Sequence, residues 1–178
     1  MRRPGGPPLV LGLGNILLGD EGVGVRVVEA LAERRSLLPE GTRLVDGGTL
    51  GLDLLPLIVD TRMLVLVDAV DVGREPGAVV VLEGQALDQA LGAHLSPHQV
   101  GVSDLFAAAR LLGGLPDPIV LIGIQPAEIA VGLELTDVVE AAVPAAVHAV
   151  VGELRRLAVA VPGTGPILDR SVATAAMG

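Results

Sequence analysis

Polar side chains stand wherever an apolar run of this chain ends, and their types define the chemistry open to them. Asn15 and the pair Asp20-Glu21 follow Leu9–Leu13, Asp46 follows Thr42–Val45, Asp68 follows Met63–Val67, and Gln125 follows Ile119–Ile124. His98 adds an imidazole within Ser96-Pro97-His98-Gln99. In open α/β sheets ligands bind outside the carboxyl ends of the strands, so these groups fall at one edge. Carboxylates and an imidazole gathered there make either a metal site or a general acid/base site.

Each residue also has a structural reading. Asp20 is expected to cap a helix. Glu21 in a first helical turn suits the helix dipole as well as chemistry. Asp46, before Gly47-Gly48, reads equally as a turn residue, and His98 equally as a surface residue at a helix start. Asp68 ends the most apolar run, where an unpaired carboxylate is costly, which favours a functional role. His94 precedes the helix start and reads as a loop residue; His148, in an Ala/Val helix, reads as structural or exposed.

Alternating strands and helices must position these groups. Leu9–Leu13 is a short apolar run suited to a strand buried on both faces. A helix is expected from Asp20 to about Arg35, with Val23, Val27, Val28 and Leu31 at helical spacing. Thr42–Val45 reads as a second strand stopped by Asp46-Gly47-Gly48, Leu50–Val59 as a helix kinked near Pro56, and Met63–Val67 as the third strand. Ala78–Leu82 follows too short a loop for a helical crossover, which predicts an antiparallel edge strand. Ser96 and Gln99 form a capping-box pattern with Pro97 at the first helical position, starting a helix that Gly113-Gly114 stops. Ile119–Ile124 is the fifth strand and Val138–Leu157 the last helix. The expected organisation is one α/β domain over residues 1–157 and a mobile tail over 158–178 rich in Gly, Ala, Pro and Ser/Thr.

Composition removes whole classes. Of 178 residues, 51% are hydrophobic and 1% aromatic, and 12 Lys+Arg against 21 Asp+Glu leave a net charge of −9. All 12 cations are Arg. Lacking Lys, the chain has no Walker A lysine and no Schiff-base chemistry. Lacking Cys, it has no disulfide, thiolate zinc site or Cys nucleophile. An acidic chain with Phe106 as its sole aromatic residue lacks the basic stripes and stacking platforms that nucleic acid needs. The apolar run behind Arg2-Arg3 is broken by Gly12 and Gly14 and lacks a cleavage site, and no uncharged stretch reaches membrane-spanning length. A cytoplasmic, membrane-free protein is expected. Leu17 stands where a G-x-G-x-x-G fingerprint needs its third Gly, and neither H-E-x-x-H nor G-x-S-x-G occurs.

The run from Gly12 to Val25, Gly-Leu-Gly-Asn-Ile-Leu-Leu-Gly-Asp-Glu-Gly-Val-Gly-Val, resembles the opening motif of the nickel–iron hydrogenase maturation endopeptidases. Asp46-Gly47-Gly48-Thr49, Val67-Asp68-Ala69, Ser96-Pro97-His98-Gln99, Gly123-Ile124-Gln125-Pro126 and Gly132-Leu133-Glu134-Leu135 resemble that family's later motifs in the same order. The likeness spans roughly residues 8–157. It implies a three-layer α/β sandwich, a twisted, mainly parallel five-stranded sheet with helices on both faces. It implies removal of a C-terminal extension from the hydrogenase large-subunit precursor after nickel insertion. Glu21, Asp68 and His98 correspond to the family's metal-contacting residues, while Asp46 of the Asp-Gly-Gly-Thr motif and Asn15 of the opening motif would tune substrate recognition or the electrostatics of the cleft. Nickel would arrive with the substrate, zinc or another divalent ion being the alternative, and the protein would act as a monomer. Two readings from other classes stand beside this one: a non-catalytic metal-sensing chaperone of the precursor, and a small-molecule hydrolase using the same sheet edge.

Overall fold

Side chains alternate along a strand, and in the central strands this alternation sorts Val from Leu. In β1 (Leu9–Leu13), β3 (Leu64–Ala69) and β5 (Ile119–Ile124), the side chains of Val10, Val65, Val67, Val120 and Ile122 share one core. Two long helices cover that face, α1 (Val23–Glu33) and α6 (Val143–Val159), through residues such as Val27, Leu31, Val150 and Leu154. Leu9, Leu11, Leu64, Leu66 and Leu121 share the opposite core with Ile58, Leu87, Val102, Leu105 and Phe106. Those partners belong to α2 (Leu55–Val59), α3 (Gly84–Gly92) and α4 (Pro97–Leu111). Each wholly buried Val or Leu contributes about 1.5–3 kcal/mol, so an aliphatic interior suffices without aromatic residues.

The structure, a computed structural model, describes the backbone of residues 6–92, 97–159 and 170–171, and the side chains of 6–91 and 101–159. The strand order is β2-β1-β3-β5-β4-β6, with β2 at Arg43–Gly48, β4 at Val79–Glu83 and β6 at Arg170–Ser171. β1 pairs in parallel with β2 and β3, and β3 with β5; β4 runs antiparallel to β5. The helix-sandwiched, mainly parallel sheet is therefore as the sequence predicts, and so is the reversed direction of β4. The sheet does not stop at β4, however, because Arg170–Ser171 pairs with it antiparallel and adds a short sixth strand. The rest of the expected tail beyond Val159 lies outside the described residues.

Other expectations need local correction. β2 continues through Asp46-Gly47-Gly48, because Gly12 pairs with Asp46 and, across a register shift, Leu13 with Gly48. The segment from Leu50 is a 3-10 turn, Gly51–Leu54, leading into α2, and Pro56 sits in the first turn of α2, where its missing N–H costs nothing. The last helix is divided into α5 (Asp137–Glu140) and α6, with Pro144 again in a first turn. The helix α3 was not anticipated.

One contact fixes how α1 crosses the sheet. A Cβ at Gly24 would overlap the carbonyl oxygens of Leu13 and Val67, and one at Gly12 would overlap the Gly24 carbonyl. The helix backbone thus lies directly on β1 and β3. Only glycine permits this approach, and it brings the turn before α1 onto the carboxyl end of β3.

Candidate active site

That turn is a 3-10 turn, Asp20–Gly22, and it packs on β3. It holds Glu21, which is buried. Gly14 lies beneath it with φ +117, and a Cβ there would overlap the Glu21 carbonyl oxygen. Asp68, the fifth residue of β3, is buried as well. By strand alternation it shares the face of Leu64 and Leu66, the side on which α4 packs. Two buried carboxylates are thus held at the carboxyl edge by backbone that glycine contacts make rigid.

α4 begins at Pro97 with His98 second, as the capping-box reading expects. Its N-terminal half lies on the 3-10 turn Gly51–Leu54, where a Cβ at Gly51 would stand 3.7 Å from the Cα of Gly101. This seats α4 at Gly101 beside the 3-10 turn that follows β2. The His98 side chain, and Ser96 and His94 altogether, lie outside the described residues. Among the described residues no three His, Cys, Asp or Glu side chains form a metal-holding group.

A cleft of about 330 Å³ opens at the same edge, lined by Gly14, Asn15, Ile16, Leu17, Val25, Asp46, Gly48 and Thr49. Asn15 and Asp46 therefore border one space. Each also closes a turn: Asn15 Oδ1 accepts from the Leu17 N–H at 3.0 Å, and Asp46 Oδ1 from the Gly48 N–H at 2.9 Å. Glu21 and Asp68 are not in the lining; Gly14, between the cleft and the Glu21 carbonyl, joins the two regions.

Asp20 is not the helix cap that its position predicts. No side-chain cap bond exists at this turn. Its carboxylate is wholly buried and takes hydrogen bonds from the N–H groups of Ala127 (2.9 Å), Glu128 (3.1 Å) and Thr136 (2.7 Å). The Thr136 hydroxyl donates to it as well. Gln125 likewise serves architecture: its Oε1 accepts from the Val72 and Arg74 N–H groups, and its Nε2 donates to Asp71. The Gly73 N–H, and then Gln125, hold the Asp71 carboxyl below its ordinary value. Sequence reading missed these two clasps, because their partners lie up to 116 residues away. Thr136 stands at the N-cap of α5, yet its hydroxyl serves Asp20 in place of a cap bond. His148 is exposed, as its Ala/Val surroundings allow.

Comparison with known proteins decides what kind of molecule carries this edge. The hydrogenase maturation protease profile matches residues 25–153. The chain belongs to the hydrogenase maturation protease family. Among its relatives, the hydrogenase expression/formation protein HupD of Rhodobacter capsulatus is 44% identical over 149 residues, covering 83% of this chain and 70% of that one. The hydrogenase 2 maturation protease of Escherichia coli (strain K12) is 39% identical over 148 residues, with 83% and 90% covered. The structure of the hydrogenase maturating endopeptidase HybD from E. coli superposes with a TM-score of 0.79 at 36% identity, over 85% of this chain and 94% of that one. This maturation protease is accordingly a hydrolase, a peptidase, on the fold that its strand and helix pattern announces. Among the described residues no helix is long and apolar enough to cross a membrane.

Proposed function

We propose that this protease removes the C-terminal extension of the large-subunit precursor of a nickel–iron hydrogenase, and that Glu21, Asp68 and His98 read the nickel the precursor carries. The observation behind the site assignment is the pair of buried carboxylates, Glu21 and Asp68, in a chain of this family. Both lie at the carboxyl edge of the sheet, where open α/β sheets bind their ligands, which favours a role in the reaction. The donor chemistry fits a first-row divalent ion: two carboxylate oxygens, an imidazole on the first turn of α4, and no thiolate in the chain. A bound metal supplies Lewis acidity to a carbonyl or lowers the pKa of a water.

The chain's own residues do the rest. The cleft between Asn15 and Asp46 takes the polypeptide and leads it to the edge where Glu21 and Asp68 lie. Hydrolysis adds the oxygen of water to the acyl carbon, breaks the C–N bond and puts a proton on the departing nitrogen. A carboxylate at the edge accepts the proton that the attacking water loses and returns it to the amine. Asp46, exposed at the cleft wall, contributes negative charge that favours a cationic or metal-bearing segment.

The test mixes the protein with nickel-loaded and nickel-free precursor and follows intact mass. Loss of a C-terminal peptide from the loaded form alone is the expected result. Glu21→Gln, Asp68→Asn and His98→Ala should each abolish it, and cleavage persisting in all three variants would remove the site assignment. A stable complex formed without any mass change would instead favour a non-catalytic chaperone.

A further inference from the structure

We infer that Asp20 is a positioning residue: its buried carboxylate fixes the segment 126–136 against the loop 15–19, so that one rigid apolar rim borders the cleft and meets the substrate polypeptide. The inference rests on the proposed cleavage at this cleft.

The two segments belong to different strands, one following β1 and the other following β5. They meet through backbone pairing, with the Gly19 N–H donating to the Gly132 carbonyl at 2.9 Å and the Gly132 N–H to the Leu17 carbonyl at 3.0 Å. Gly19 further bridges Ile129. Arg26 ties the outer end, its guanidinium donating to the Leu133 carbonyl at 3.0 Å. Asp20 closes the inner end, taking three backbone N–H groups and one hydroxyl from both arms of the 126–136 segment. A carboxylate can satisfy several convergent donors at once, whereas an amide presents a donor of its own to them.

What this clasp holds in place is apolar and outward-facing. Leu17 (57% exposed), Ile129 (51%) and Val131 (93%) lie on the paired segments, and Leu17 together with Ile16 also lines the cleft. Exposing large aliphatic side chains on a rigid hydrogen-bonded frame costs folding nothing once the clasp is made, and it presents a preorganised surface to a chain entering the cleft. Since Asp20 directly precedes Glu21, the same carboxylate also fixes the turn on which the candidate catalytic carboxylate sits.

The test compares the wild type with Thr136→Val, Thr136→Ser and Asp20→Asn. Amide exchange at Ala127, Glu128 and Thr136 should quicken in Asp20→Asn and, less strongly, in Thr136→Val. With the loaded precursor as substrate, Thr136→Val should raise KM by about tenfold with kcat within about twofold, and Thr136→Ser should restore the KM. The exposed pair Leu17→Ser and Val131→Ser should raise KM comparably while leaving exchange at the clasp unchanged. Unaltered exchange in Asp20→Asn overturns the clasp. Quickened exchange with unaltered KM in every variant overturns its positioning role. Failure of the wild type to cut any precursor overturns the functional reading and this role with it, even where the exchange result stands.

Discussion

The two walls of the cleft are built on opposite plans. The wall after β1 is locked: the loop 15–19 is paired to the segment 126–136, and Asp20 closes the joint from inside with its carboxylate wholly buried. The wall after β2 is local: Asp46 accepts from a neighbour two residues on and otherwise faces outward. Both carry an aspartate at the sheet edge, and both aspartates bond backbone N–H groups. The difference lies in burial and reach. Asp20 gathers distant donors away from water and joins two loops, whereas Asp46 closes only its own turn beside the cleft.

The largest expected effect lies just behind the locked wall, where Glu21→Gln should lower precursor processing by about 10²–10⁴ with the fold intact by circular dichroism. Asp68→Asn, on the adjacent strand, should match it. Next, Asp20→Ala should destabilise the protein by about 3 kcal/mol or more in urea titrations, because it strands buried donors at about 1–3 kcal/mol each. Asp46→Ala should cost at most about 1 kcal/mol by the same measurement, its bond being exposed and local. A loss for Asp46→Ala equal to that for Asp20→Ala would erase the contrast. If the walls are independent, the double variant should show the sum of the two single costs.

The smallest effect is one of pH. The Gly73 N–H and Gln125 hold the Asp71 carboxyl below its ordinary value, so its folded form is the ionised one. Its contribution is present above the unfolded value of about 3.9 and is lost as pH falls through the lower folded value. Asp71→Asn should therefore flatten, slightly, the fall in Tm below about pH 4.

Much of this was legible in the chain itself. The apolar runs at β1, β3 and β5 mark buried strands because only a two-sided interior accommodates such runs. Pro97 and the turn chemistry around it mark the start of α4, and the polar residue after each run marks the edge where ligands bind. The helix α3 was missed although Leu87 and Leu91 are helically spaced. The Asp46-Gly47-Gly48 stretch reads as a stop because glycine breaks strands in isolation, yet pairing with Gly12 and Leu13 carries β2 through it. The acidic balance argues in the sequence only against nucleic acid, yet one of its members, Asp20, is buried in a joint between distant loops.

Sequence alone determined the layers, the strand directions and the residue types at the edge. These follow from periodicity, turn chemistry and motif spacing, which act over a few residues. Tertiary structure alone decided that Asp20 is structural. That role depends on burial and on donors more than 100 residues apart in the chain, as between Asp20 and Thr136, with a separation of 116. The packing of α1 on β1 and β3 through Gly12 and Gly24 sets where the turn carrying Asp20 lies.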